Sequence, residues 1–223
     1  MSAEEPDSPR ESSPRRLPIM DDPAGEPLLL YRDPITGHRL LSTAAAGGAL
    51  QLIFLDVDGV LNRKDFTQSG DFESDALLPE CLAELHACLQ ALPGNRIVLS
   101  STWRSDRELR DAVVAALERL RPGCVVGQTQ QHRTFRNDVR SWEVAAFLAM
   151  PEVAAAMRRP GSAWCAVDDM DLLRQAQALV LKPEFREVKR ILPALQQCFV
   201  KTAKADGLDA SGGTAIMRAL APA

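Results

Sequence analysis

From Leu50 onward, short continuous apolar runs alternate with segments in which apolar residues recur every three or four positions. This alternation limits the fold more than any other feature of the chain. Gln51 to Leu55 reads as a buried strand, and Leu78, Leu82, Leu85, Leu89 and Leu92 share one helix face. Arg96 to Leu99 is a second strand. Ser105 and Glu108 have the spacing of a capping box opening a helix that carries Leu109, Val113, Leu117 and Leu120. Cys124 to Val126 is a third strand, Val144, Phe147 and Leu148 mark another helix, and Ala163 to Val167 is a strand running into Asp168 and Asp169. Leu172 to Leu179 then reads as helix, Val180 and Leu181 as a short strand, and Phe185 to Leu195 as helix. The order predicts a three-layer, Rossmann-like α/β fold with a parallel sheet covered on both faces, whose sites gather beyond the carboxyl ends of the strands.

A chain of 223 residues, 46% of them hydrophobic, can bury one good core, so one catalytic domain with extensions is expected. Residues 1–26 are rich in Pro, Ser and acids and bury too little apolar surface to offset the entropy of ordering, which makes them a disordered tail. Residues 27–49 read as a small hairpin and linker. Leu28 to Tyr31 and His38 to Leu41 flank a turn signal of Asp33, Pro34 and Gly37, and Ala44 to Ala49 is a flexible join. Residues 50–223 form the catalytic domain. A net charge of -4 supplies no basic field for indiscriminate nucleic-acid binding. The five cysteines contain no Cys-x-x-Cys pair and fall mostly in apolar runs, as reduced thiols of an intracellular protein would. The first residues carry Glu4, Glu5 and Asp7 and lack the apolar core of a secretory signal, and no later run is long enough to cross a bilayer. Cytoplasm or nucleus, with no membrane partner, is the expectation.

The chemistry is concentrated where the first strand ends. In Leu52-Ile53-Phe54-Leu55-Asp56-Val57-Asp58-Gly59-Val60-Leu61-Asn62, two carboxylates at i and i+2 would point to one face of an extended segment, and Gly59 permits a sharp departure. An ordinary solvated turn is the alternative for Asp-x-Asp-Gly alone. The longer string D-x-D-G-V-L-N after a hydrophobic strand resembles the first motif of the haloacid dehalogenase (HAD) superfamily of hydrolases. Ile97 to Arg104, IVLSSTWR, looks like the second motif, and Cys165 to Asp171, CAVDDMD, looks like the acidic fourth. The S-S-x-W-R string and R-x-x-E-hydrophobic around Arg140 resemble the uncapped HAD domain of Swiss Army Knife RNA repair proteins. The likeness covers about Leu50 to Leu181.

The resemblance implies a Mg²⁺-dependent phosphatase acting through an aspartyl-phosphate. Asp56 is the implied nucleophile, and Asp58 the acid and base, its backbone carbonyl also meeting the metal. Asp168 and Asp169 supply further metal ligands, with a capping or supporting duty for one of them, Asp169 before Asp168. Mg²⁺ prefers such hard oxygen donors. Ser100 is the implied hydroxyl partner of the transferring phosphoryl group, with Ser101 as fallback, and Gly59 borders the substrate. Arg104 either reaches the substrate or lies exposed at a helix start. The third-motif cation is Arg140 first and Lys182 second, with Arg136 and Asp138 in a stretch similar to polynucleotide 3′-phosphatases. His86 reads as structural, and His132 as part of a polar loop. Only about sixteen residues, from Arg63 to Leu78, separate the first motif from its helix. That is a flap and not a folded cap, so an open site would suit a large phosphorylated substrate such as a polynucleotide end. A fold-only binding module and a phosphotransferase are the competing readings.

Overall fold

The computed structural model describes residues 20–21, 27–32, 39–43, 49–63, 76–131 and 139–221. The expectations for the remainder of residues 1–48, the flap within 64–75, His132, Arg136 and Asp138 lie outside the described residues. Strands β1 (Met20–Asp21), β2 (Pro27–Arg32) and β3 (Arg39–Thr43) form an antiparallel sheet in that order.

A second sheet has five strands in the order β6-β5-β4-β7-β8, parallel throughout. Its strands are β4 (Gln51–Leu55), β5 (Asn95–Leu99), β6 (Val125–Gln128), β7 (Ala163–Asp168) and β8 (Phe199–Lys201). Between them run α1 (Pro79–Ala91), α2 (Arg107–Leu120), α3 (Arg140–Leu148), α4 (Pro151–Met157), α5 (Leu172–Leu179) and α6 (Val188–Cys198), and α7 (Ala210–Leu220) follows. No cap domain is present among the described residues.

Successive strand side chains point to opposite faces, so a strand that is apolar throughout demands cover on both. Leu52 and Phe54 of β4, Val98 of β5 and Ala166 of β7 pack on one face against α3, α4, α5 and α6. Ile53, Leu55, Ile97, Leu99, Cys165 and Val167 pack on the other against α1, α2 and α7. Phe54 meets Phe147 edge to face with ring centroids 5.5 Å apart, each ring stabilising the fold by about 1.5–3 kcal/mol through burial. On α1 the buried stripe is Cys81, Leu85, Cys88 and Leu89, rotated from the leucine face that the pattern indicates. All five cysteines are free thiols, and burial pushes that of Cys124 up to about 12. No helix among the described residues is long and apolar enough to cross a membrane.

Three local expectations are corrected. Val180 and Leu181 are not a strand: Val180 ends α5, its N–H bonded to Ala176, and Leu181 is 83% exposed in the turn beyond. The outer strand is Phe199–Lys201 instead, three residues directly after a helix and too short to display a period. Ser105 does not open α2, because Thr102–Ser105 forms a 3₁₀ turn and the next residue, Asp106, takes the cap. Its carboxylate accepts the N–H groups of Glu108 and Leu109 at 2.8 and 3.1 Å. The segment from Phe185 to Leu195 is likewise divided, a 3₁₀ turn at Pro183–Phe185 preceding α6.

Candidate active site

Strand register alone brings the polar residues together. Leu55 of β4 lies beside Leu99 of β5 and Val167 of β7, so Asp56, Ser100 and Asp168 leave three adjacent strands at the same level of the carboxyl edge. The departing backbone stays anchored, with Asp56 N–H donating to Val167 and Ser100 N–H to Leu55, at 3.0 and 2.7 Å. Beyond Asp56 the chain turns sharply at Gly59, φ +70°, where a Cβ would stand 2.8 Å from the Cβ of Asp169. Glycine is required there on both counts, and the close approach seats Asp169 against the first loop.

Asp56, Asp168 and Asp169 each present a carboxylate oxygen within 4.8 Å of the others. Only 4% of Asp56 and 2% of Asp168 are exposed. Arg140, at the start of α3, directs Nη1 to Asp56 Oδ1 at 3.2 Å and to Asp168 Oδ2 at 3.5 Å. Its Nε meets Glu143 Oε2 at 3.3 Å, one turn along the same helix. Burial acts to lower the pKa of Arg140, but Asp56, Asp168 and Glu143 outweigh it and hold the guanidinium above its ordinary value. Burial raises the pKa of Asp56, opposed by Arg140 and by the N–H of Val57. Asp168 is raised well above the usual carboxylate range, by burial first and then by the charge of Asp56.

These shifts have a measurable consequence. A carboxyl group whose folded pKa exceeds its unfolded value contributes fully below the unfolded value, near 3.8, and loses that contribution as pH rises through the folded one. In chelator, the protein is therefore expected to melt lower at pH 8 than at pH 5. A divalent cation should recover the difference, with the larger gain at pH 8, because binding needs the ionised groups. Differential scanning calorimetry at both pH values checks this, and a cation effect independent of pH would contradict it.

Asp58 lies just outside the buried cluster. Its Oδ1 accepts from Asn62 Nδ2 and from Trp103 Nε1, both at 3.1 Å. Ser100 is buried, its hydroxyl accepting from Thr129 at 3.4 Å, and Ser101 Oγ accepts the N–H of Trp103 at 3.3 Å. The Ser101 side chain also favours the ionised form of Asp56.

Arg104 is neither exposed nor aimed at solvent. It is 5% exposed, donates from Nη2 to Glu143 Oε2 at 2.6 Å and from Nη1 to the Ser101 carbonyl, and so joins the β5 loop to α3. Burial lowers its pKa to about 10 against the pull of Glu143. Lys182 is exposed in the turn after α5, its Nζ 6.0 Å from the Phe185 ring, while Arg140 is the cation in contact with Asp56. Helix capping falls to Asp171, whose Oδ1 accepts the N–H of Arg174 at 3.0 Å, and not to Asp169. Asp169 instead faces Lys204, Oδ2 to Nζ 3.5 Å. Half-buried His86 contacts Gln90 on its own helix, at 3.1 Å.

The segment after β8 also belongs to the site, although the sequence analysis assigned it no role. Thr202 N–H donates to Asp168 O at 3.1 Å and its hydroxyl to Gly59 O at 2.7 Å, while Leu208 N–H donates to Val60 O at 2.8 Å. Lys204 arrives on the same loop. A polar residue directly after a strand was the available signal, and β8 was too short to reveal it.

The comparisons with known proteins agree with this geometry. Residues 52–211 match the family model described as the HAD domain in Swiss Army Knife RNA repair proteins, so the match runs past β8 and the Thr202–Leu208 loop, beyond the Leu181 limit of the motif resemblance. No curated protein and no solved structure matches the chain. With three strand-end motifs on one sheet edge and a family match over most of its length, the chain belongs to the HAD domain family of Swiss Army Knife RNA repair proteins.

Proposed function

We propose that the protein is a Mg²⁺-dependent phosphomonoesterase that works through an aspartyl-phosphate on Asp56 and acts on phosphorylated polynucleotide ends. The observation that carries the reading is the convergence of Asp56, Asp168 and Asp169 within 4.8 Å, with Arg140 3.2 Å from Asp56, at the carboxyl edge of a parallel sheet. Three oxygen donors of one sign, buried at the cost seen in the raised pKa values of Asp56 and Asp168, fit a small hard cation. Asp56, Asp168, Asp169 and the Asp58 backbone carbonyl would hold Mg²⁺, which when bound offsets their charge and that of the phosphoryl oxygens.

The residues divide the chemistry as phosphoryl transfer requires, by positioning and charge neutralisation. Arg140 favours the ionised form of Asp56 against the effect of burial and orients the carboxylate. A carboxylate oxygen of Asp56 bonds to phosphorus as the bond from phosphorus to the ester oxygen breaks, and Asp58 gives its proton to the departing alcohol. In the second step Asp58 takes a proton from water, whose oxygen bonds to phosphorus and releases Asp56. The sum is ester plus water giving alcohol plus phosphate. The Ser100 hydroxyl, with Ser101 as its alternative, would donate to a phosphoryl oxygen. Absence of a cap among the described residues, together with the family match, supports a large substrate over a small sugar phosphate.

The full-length protein is expected to hydrolyse p-nitrophenyl phosphate and a 3′-phosphorylated oligonucleotide with Mg²⁺, to lose both activities in chelator, and to favour the oligonucleotide in kcat/KM. A folded protein that binds Mg²⁺ yet turns over neither would overturn the phosphatase reading. Preference for a small sugar phosphate over polymer ends would overturn the substrate class alone.

A further inference from the structure

Two contacts of Asp58 come from separate segments and end on one oxygen. Trp103 is 5% exposed and stands in the 3₁₀ turn after β5, fixed from below by Ser101. Its indole Nε1–H points across the gap between the second and first motifs to Asp58 Oδ1, at 3.1 Å. Asn62 is 1% exposed and is held in turn by the N–H of Gly59, which donates to its Oδ1 at 2.9 Å. That contact fixes the Asn62 amide so that Nδ2 faces Asp58 Oδ1, also at 3.1 Å. Two neutral donors from separate segments on one carboxylate oxygen restrict the rotation of the carboxyl group and fix its plane.

Resting on the phosphatase reading above, we infer that Trp103 and Asn62 are positioning residues for Asp58, which hold its carboxyl group in the orientation it needs toward the leaving oxygen of an alkyl phosphate. The indole does not touch the reacting atoms. It acts by excluding rotamers in which the proton misses the ester oxygen, and near-attack alignment of this kind is sensitive to small displacements.

Substrate choice separates this role from packing. A nitrophenolate leaves without much protonation, whereas the sugar alcohol of a 3′-phosphorylated oligonucleotide needs the proton as its bond to phosphorus breaks. Trp103→Phe keeps an aromatic ring in the core and deletes the donor. It is expected to lower kcat on the oligonucleotide by about 10- to 100-fold, a fraction of the full general-acid contribution. The loss on p-nitrophenyl phosphate should be several-fold smaller, and KM for the oligonucleotide near that of the wild type. Asn62→Ala, altering the other segment, should reproduce the same substrate-dependent pattern if Trp103→Phe fails to fold. In the metal-free wild type the Trp103 indole N–H resonance should shift when Asp58 is changed to Asn, a sign of the bond independent of turnover. Equal losses on both substrates, or none, would overturn the positioning role. If Asp58→Asn itself leaves oligonucleotide turnover intact, the acid–base reading fails first and the inference falls with it.

Discussion

Asp56→Asn is expected to abolish turnover, by on the order of 10⁴-fold or more, and at the same time to raise the melting temperature of the metal-free protein. The first effect follows from removing the oxygen nucleophile, since an amide cannot form the acyl phosphate. The second follows from charge. Asp56 and Asp168 are both buried, and burial raises both pKa values despite Arg140. Folding therefore carries an electrostatic cost at neutral pH that a neutral side chain of the same shape relieves. Arg140 keeps Asp168 at 3.5 Å and Glu143 at 3.3 Å, so the substitution does not strand it. Each kcal/mol relieved is worth about 2–4 °C in a domain of this size. Calorimetry in chelator and initial rates in Mg²⁺ check the two halves together. A variant that is inactive but less stable would mean that Asp56 is held chiefly as the ion-pair partner of Arg140, and residual Mg²⁺-dependent hydrolysis near the wild-type rate would remove it from the chemistry.

The sequence made the site more legible than its supports. Asp56, Ser100 and Asp168 could be located because each directly follows a buried apolar run, and parallel pairing with no offset among β4, β5 and β7 carries all three to one edge. Arg140 could be ranked above Lys182 only by the family-like string around it, since one cation has no periodicity. In the structure Arg140 contacts Asp56 and Asp168, and its spacing from Glu143 puts those two residues on one side of α3. For Arg104 the exposed alternative fails, because its partner Glu143 lies 39 residues away and no local pattern reports that contact. The same limit hid Thr202 and Lys204. Their contacts to Gly59 and Asp169 join segments more than thirty residues apart in sequence, linked only through a three-residue strand. Local pattern reports which face a residue occupies, and not which distant residue it meets there.

Glu143→Ala should be the most destabilising single change near the site, at about 3–5 kcal/mol, the scale of a buried ion pair broken on one side. Glu143 is 1% exposed, and a single oxygen, Oε2, lies 2.6 Å from Arg104 Nη2 and 3.3 Å from Arg140 Nε. Removing it leaves two buried guanidinium groups facing each other, and each already acts on the other, since Arg140 is among the causes that lower the pKa of Arg104. Arg140 retains Asp56 and Asp168, whereas Arg104 keeps the Ser101 carbonyl and, among the described residues, no second ion-pair partner, so most of the loss is placed on Arg104. The double variant Glu143→Ala with Arg104→Met tests that assignment, because it removes the stranded charge together with its partner. It should recover much of the stability, a coupling of the size that double-mutant cycles resolve for residues in contact. Activity should not recover in parallel. Without Oε2 the Arg140 guanidinium loses the brace on its Nε, and its Nη1 contacts with Asp56 and Asp168 are held less rigidly. Urea denaturation with an unchanged m-value, read beside kcat, separates the two effects. If the double variant is as unstable as the single one, Glu143 supports the fold through packing and not through charge. If it regains full activity, Arg140 needs no brace from α3, and the carboxylates of the site orient it by themselves.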